Sequence, residues 1–323
     1  MKANTFFSVL GFILMASLLC GCGALSMQKA PSSRMIDTIV STDWLQANSN
    51  LKNLVIIDIR SPKDYGAGHI PGSINEPFVT AFTPQTGPTS NWIIGSGGLW
   101  LELPDAKNLF STVGKLGITG DSRVVIVTAP NPKEPPYFGL ANATRVADTL
   151  IYAGVRNVAI LDGGYPKWVA EKRPTTKEAA ARKSVKYKGE VNKAMFVPTD
   201  YVKKQIGKAV IIDARDSNVY SGKIVEPFAK KPGHIPKAKS LPAPWIWNHD
   251  PGGAYTYKDS KTLGTMAAGV VGGPGSQEII VYCGVGGYAS SWWFVLTQVL
   301  GYQNVKIYDG SAQEWAKSHD MVT

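Results

Sequence analysis

The apolar residues of this chain come in short unbroken runs that end in charge or in glycine. Val55-Ile56-Ile57-Asp58-Ile59-Arg60, Arg123-Val124-Val125-Ile126-Val127-Thr128 and Val158-Ala159-Ile160-Leu161 are three of them. Runs of this length without polar alternation predict strands buried on both faces, as in parallel sheets. Between the second and third runs, Asn142 to Ala153 reads as a helix, and Asp162-Gly163-Gly164 as a turn before Tyr165 to Ala170. Ser41-Thr42-Asp43 reads as a helix N-cap ahead of Trp44-Leu45. Strands alternating with helices predict an α/β fold.

The series then repeats. Val210-Ile211-Ile212-Asp213-Ala214-Arg215 answers the first run, and Gly233-His234-Ile235-Pro236 answers Gly68-His69-Ile70-Pro71. Glu278-Ile279-Ile280-Val281-Tyr282-Cys283 answers the second run and places Cys283 where the first copy has Thr128. Val305 to Ser311 answers Val158 to Gly164, and Trp315 answers Trp168. One offset carries both Asp58 onto Asp213 and Thr128 onto Cys283; a shorter one carries Asp162 onto Asp309. The first copy is therefore longer by eight residues, which fall after its second strand. Two domains of one fold are expected, over residues 36–173 and 196–323, joined by a basic, weakly apolar linker over 174–195. A length of 323 residues fits that count.

Composition changes the picture only at the edges. A hydrophobic share of 44% and a charged share of 18% are those of a globular protein with a core. The formal net charge of +10 suits an anionic substrate or membrane surface. No basic cluster is interleaved with aromatics, so nucleic acid is not expected as a partner. The amino terminus reads as an export signal over residues 1–21, with Met1-Lys2 followed by the apolar run Phe6 to Leu19. It closes on Leu19-Cys20-Gly21-Cys22, which resembles a bacterial lipobox with Cys22 as the lipidated residue. Residues 22–35 would then be a tether, and the protein would sit on the extracytoplasmic or periplasmic face of a bacterial envelope, held by its lipid.

Of the three cysteines, Cys20, Cys22 and Cys283, that processing leaves Cys283 as the one free thiol. It follows an apolar strand and opens the glycine-rich loop Gly284-Val285-Gly286-Gly287-Tyr288 ahead of the apolar, helix-like segment Ala289 to Leu300. Backbone N–H groups converge at such a place and favour an anion, so a lowered thiol pKa is expected. The same position also suits a small buried hydrophobe. His69 and His234 sit in both copies of the Gly-His-Ile-Pro turn, which argues for a structural role. His249 and Arg215 are the candidates to meet a substrate: the histidine by its place in Trp247-Asn248-His249-Asp250, the arginine by its place in the cysteine-bearing copy. Trp292-Trp293-Phe294 is expected to be the core face of the helix.

Tyr65-x-x-x-His69-Ile70-Pro71-Gly72-Ser73 and Val305-x-x-Tyr308-Asp309-Gly310-Ser311-x-x-Glu314-Trp315 are similar to the two signatures of the rhodanese (sulfurtransferase) family in its tandem form. The resemblance runs from about Ile36 to Lys317, with Ala312 where an aromatic is usual. It implies two parallel sheets flanked by helices, with only the second domain catalytic. Cys283 would take sulfane sulfur from a small anionic donor as a persulfide and pass it to a thiol or cyanide, without metal or organic cofactor. Thiosulfate-selective relatives place basic residues after the cysteine; Gly284 and Val285 stand here, and Val219 stands where a further arginine is found. Mercaptopyruvate-selective relatives end their loop differently from Gly287-Tyr288. A Cys-x5-Arg phosphatase is excluded, because Ala289 holds the arginine position. The competing reading is a non-catalytic binding module or sulfur carrier.

Overall fold

The computed structural model describes residue 1, residues 34–130 and residues 135–323, and Arg34 to Thr323 form one compact unit. Cys22, the export signal and most of the tether lie outside the described residues. Two five-stranded parallel sheets carry the fold. The first holds β1 (Ile39–Val40), β2 (Leu54–Asp58), β3 (Ser73–Asn75), β4 (Arg123–Val127) and β5 (Asn157–Leu161), in the order β1-β5-β4-β2-β3. The second holds β6 (Phe196–Val197), β7 (Val210–Asp213), β8 (Lys239–Ser240), β9 (Ile279–Tyr282) and β10 (Val305–Tyr308), in the order β6-β10-β9-β7-β8. The orders are the same, as the repeated runs predict. Central strands pair in matching register too: Asp58 lies beside Val127, and Asp213 beside Tyr282.

The unbroken apolar runs arise because β2, β5 and β9 are buried along their whole length. The aspartate that closes the central strand β2 or β7 is paired with an arginine two residues on. Asp58 receives Arg60 and Asp213 receives Arg215, at 2.6 and 2.5 Å. Each arginine also donates to the carbonyl before the repeated histidine, Gly68 or Gly233, at 2.9 and 2.8 Å. The histidines stack on Tyr65 and Tyr220, and each Nδ1 meets that tyrosine's carbonyl at 2.9 Å. Arginine, aspartate and histidine thus form one structural knot per domain, closing the loop after the first central strand.

The domains meet through the helices Pro136–Tyr152 and Gly287–Phe294, which pack on each other and on their own sheets. The Thr144 and Ser291 hydroxyls touch at 2.9 Å near the local two-fold. Trp292, Trp293 and Phe294 are buried in a core cluster drawn from both domains, as expected of that aromatic run. Fully burying one such side chain stabilises by roughly 1.5–3 kcal/mol. The helix does not stay regular to Leu300: Val295–Val299 widen into a π-helical turn, where the Thr297 hydroxyl donates to the Trp293 carbonyl at 2.8 Å. The linker is strapped to the first domain. Val185 donates to the Gly114 carbonyl at 2.9 Å and the Tyr187 hydroxyl to that of Ala153 at 3.0 Å.

Candidate active site

Cys283 follows the last residue of β9 and is 3% exposed. Its loop turns because Gly286 takes a left-handed φ of 95°, which glycine adopts without steric cost. That turn aims the Gly286 N–H at Cys283 Sγ, 3.1 Å away. The N–H groups of Ala289 and Val285 also pull the thiol pKa down, as the sequence suggests. They do not win. Burial pushes the Cys283 thiol up, and the nearby Glu226 carboxylate adds to the rise. The expectation of a lowered thiol pKa is therefore corrected: a strand end walled by aromatics costs the anion more solvation than three N–H groups return.

The junction between β10 and the helix Ser311–Ser318 grips the loop from beneath. Cys283 N–H donates to Ser311 Oγ at 3.3 Å, Ala312 N–H to the Cys283 carbonyl at 2.9 Å, and Gln313 N–H to the Gly284 carbonyl at 3.1 Å. Ser311 holds φ 51°, an uncommon value for a residue with a Cβ. The first domain in turn grips that junction. Gln313 exchanges two bonds with the Trp100 backbone, at 2.9 and 2.8 Å, and Leu103 N–H reaches Asp309 Oδ2 at 3.1 Å. Arg145, fully buried in the first domain's interface helix, meets Asp309 Oδ1 at 2.7 Å and donates to the Leu101 carbonyl. A Cβ on Gly286 would lie 3.4 Å from Arg145 Nη1, so this pair backs the cysteine loop directly. Beside it, burial and the Asp309 charge push the Glu102 carboxyl up to about 8.

The loop residues Gly284, Val285, Gly286, Gly287 and Tyr288 do gather around the thiol. Tyr288 packs against Phe138 of the first domain, ring centres 5.3 Å apart, so the first turn of that domain's interface helix reaches the cysteine side. Arg215 does not serve as a free cation. It is 1% exposed, held by Asp213 and Gly233, with Glu226 Oε2 3.4 Å from its remaining nitrogen. Its place at a strand end commits it to the structural knot instead. His249 is exposed on the hairpin Trp247–His249/Tyr255–Tyr257 and stacks on Tyr255. That hairpin covers the other end of the pseudo-dyad: Trp247, Tyr255 and Tyr257 line a cavity of about 10 Å³ at Thr128. Nothing in this geometry brings His249 to Cys283.

Glu226, Asp309, Gln313, Arg145 and Glu102 were not singled out by sequence. Asp309 lay inside the quoted signature, and Arg145 and Asp148 stand alone as charges on an apolar helix, which is a usable signal. Glu226, in a lysine-rich stretch, offered none. Among the described residues, no group of three or more His, Cys, Asp or Glu side chains is placed to hold a metal ion. No helix among them is long and apolar enough to cross a membrane.

A duplicated parallel α/β fold with a cysteine opening a loop of N–H donors at the domain junction defines a class of sulfur-handling proteins. The rhodanese-like domain model matches residues 41–171 and 198–318, and the chain belongs to that family, in two tandem copies. A Synechococcus elongatus relative, provisionally named thiosulfate sulfurtransferase, is 29% identical over 98% of this chain and 94% of its own. The sulfur carrier protein TtuD of Thermus thermophilus is 29% identical over 86% of this chain and 93% of its own. The crystal structure of the 3-mercaptopyruvate sulfotransferase SseA from Escherichia coli superposes with a TM-score of 0.67 at 24% identity, covering 85% of this chain and 98% of that one.

Proposed function

We propose that this protein is a sulfurtransferase that moves sulfane sulfur from thiosulfate or a related donor to a thiol or cyanide through a persulfide on Cys283. The observation that carries this reading is the donor array at the thiol. With thiosulfate, Cys283 Sγ attacks the outer sulfur, the donor's S–S bond breaks, sulfite leaves, and the new S–S bond remains on the protein. The terminal sulfur then lies within the loop whose Gly286, Val285 and Ala289 N–H groups already point at Sγ. Fixed dipoles of this kind stabilise the persulfide anion without reorganisation. An acceptor thiolate attacks that terminal sulfur and restores Cys283. In the same proposal Cys22 carries a lipid and the two domains work at the extracytoplasmic face of a bacterial envelope.

The test is the intact mass of the full chain before and after thiosulfate or 3-mercaptopyruvate, with Cys283→Ser as control. Gain of one sulfur in the wild type alone supports the reading. The buried thiol with its raised pKa favours a second reading, a carrier or binding module. An unchanged mass together with a Cys283 that resists alkylation would select that alternative.

A further inference from the structure

The side of the molecule opposite Cys283 is basic. Phe138 and Tyr288, in the first turns of the two interface helices, meet at 5.3 Å, and Tyr152, at the end of the first helix, meets Phe196 at the start of β6. Arg34 donates to Gln298 Oε1, beyond the end of the second helix, and to the Val158 carbonyl in β5, at 2.8 and 2.6 Å. Both helices therefore run the same way, and the strands of both sheets start on one side, the base, with Cys283 at the other. Helix starts on the Cys283 side are capped by Asp105 and Asp259, because a carboxylate there satisfies free N–H groups and the positive end of the helix. Lysines gather at the base. Lys204 stands in the last turn of the helix Thr199–Gln205, and Lys208 follows it ahead of β7. Lys52 precedes β2, and Arg156 precedes β5. The linker crosses beneath the first domain. Arg182 donates to the Leu54 carbonyl, Val185 N–H to that of Gly114, and the Tyr187 hydroxyl to that of Ala153. With those residues turned inward, Lys183, Lys186 and Lys188 are left exposed. Among the described residues, none of these lysines nor Arg156 is ion-paired. Asp37, Asp121 and Glu190 are exposed on the same side, and the cations outnumber them.

We propose that the base is a docking face for an anionic phospholipid bilayer, and that it turns the Cys283 side away from the membrane. The proposal takes its setting from the envelope reading and is independent of the chemistry at Cys283. Two observations choose this occupant. The first is where the chain enters: it joins the described fold at Arg34, on the base itself. Met35 is fixed there, its N–H donating to Asn157 Oδ1 and its carbonyl accepting from Arg123, both at 2.9 Å. Cys22 lies twelve positions before Arg34, and a stretch of that length spans at most about 40 Å. A lipid on Cys22 would therefore bring the base, and not the Cys283 side, to the leaflet. The second observation is charge. The exposed lysines are spread over one face, between strand starts and along the linker, which matches an extended plane of negative charge and not one small anion. Each such lysine near an anionic leaflet strengthens binding about fivefold. A lipid chain and a basic face acting together hold a protein on a membrane more firmly than either alone.

The experiment places the full chain on vesicles of phosphatidylcholine alone and of phosphatidylcholine mixed with phosphatidylglycerol, and acetylates lysines with a membrane-impermeant reagent. Labelling is read residue by residue by peptide mass. Lys183, Lys186, Lys188, Lys204 and Lys208 should label severalfold more slowly on the phosphatidylglycerol vesicles. Lys107 and Lys261, exposed at helix starts on the Cys283 side, should label alike on both. High salt should abolish the difference by screening. Equal labelling of the base on the two kinds of vesicle would overturn the proposal, and this readout needs no variant to fold. Protection of the base on both kinds, indifferent to salt, would overturn it too, and would assign the face to a second copy of the chain. In the Cys22→Ser chain, Lys183→Gln, Lys186→Gln and Lys188→Gln together should weaken partition onto phosphatidylglycerol vesicles about a hundredfold, whereas the three arginine replacements should preserve it. An unchanged partition in the glutamine variant would count against the face. Absence of acyl mass on Cys22 in the wild type would bring down the anchor alone, because protection by phosphatidylglycerol is read separately.

Discussion

The Thr128 end of the first domain and the Cys283 end of the second are the same place built twice. Tyr165 N–H donates to the Thr128 carbonyl and Ala312 N–H to the Cys283 carbonyl, both at 2.9 Å. Asp162 accepts Tyr257 N–H from the opposite domain at 2.8 Å, as Asp309 accepts that of Leu103. What differs is what fills the end. At Thr128 the hydroxyl is spent on the Gly139 carbonyl at 2.8 Å, and three aromatics of the partner domain's hairpin close over it. At Cys283 the thiol faces an N–H group of its own loop and is just as buried, 3% exposed against 5% for Thr128, while a groove of about 380 Å³ lined by Trp100, Phe228, Lys230, Gln313 and Lys317 lies beside that loop without including the thiol. One copy ends in a spent hydroxyl under an aromatic hairpin, the other in a thiol inside a loop of N–H donors. The fold supplies the strand end; the loop that follows it and the hairpin laid against it decide what the side chain there can bond.

The sharpest way to break this comparison is Thr128→Cys. If a thiol at this strand end sufficed, the variant would take up two sulfurs per chain; the plugged end predicts one, read by intact mass, and none after Cys283→Ser is added. Next in size is the clamp. Arg145→Met leaves Asp309 as an unpaired carboxylate at the interface, a loss of about 3–5 kcal/mol for a broken buried pair. Melting should show that loss, and Arg145→Lys should recover part of it together with the rate of sulfur uptake.

The left-handed position after the last strand gives a smaller, paired test. The first domain has Gly164 there, φ 57°, because a Cβ would strike the Thr128 carbonyl; the second has Ser311. Ser311→Gly should relieve about 1 kcal/mol of backbone strain while slowing sulfur uptake, since Cys283 N–H loses its acceptor. Gly164→Ser should only destabilise, by calorimetry.

The last test concerns pH. Glu102 in the folded chain holds its proton up to about 8, above its unfolded value, so its contribution to stability is full at low pH and lost as pH rises through 8. Glu102→Gln should therefore melt with the wild type near pH 4 and above it near pH 9.

The duplication, the buried strands, the structural role of His69 and His234, and the place of Cys283 were legible because they rest on local signals. Apolar runs mark buried strands, and a repeated motif in a copy that lacks the cysteine argues against catalysis by its histidine. Arg215 looked like a free cation because sequence shows the charge and not the carboxylate that folds onto it. The thiol pKa went the same way: glycines and a helix start are visible in the chain, whereas the Phe228 ring and the Glu226 carboxyl beside the loop come from a segment more than fifty residues earlier.

The sequence by itself determined which strand ends exist and which one carries a thiol, since backbone hydrogen bonding and hydrophobic burial act on neighbours a few positions apart. Only the tertiary structure decided which end is plugged, which charges are free, and how the first domain holds the second domain's loop. Those properties depend on desolvation and Coulomb interaction, and both are set by groups that the chain brings together only once it is folded.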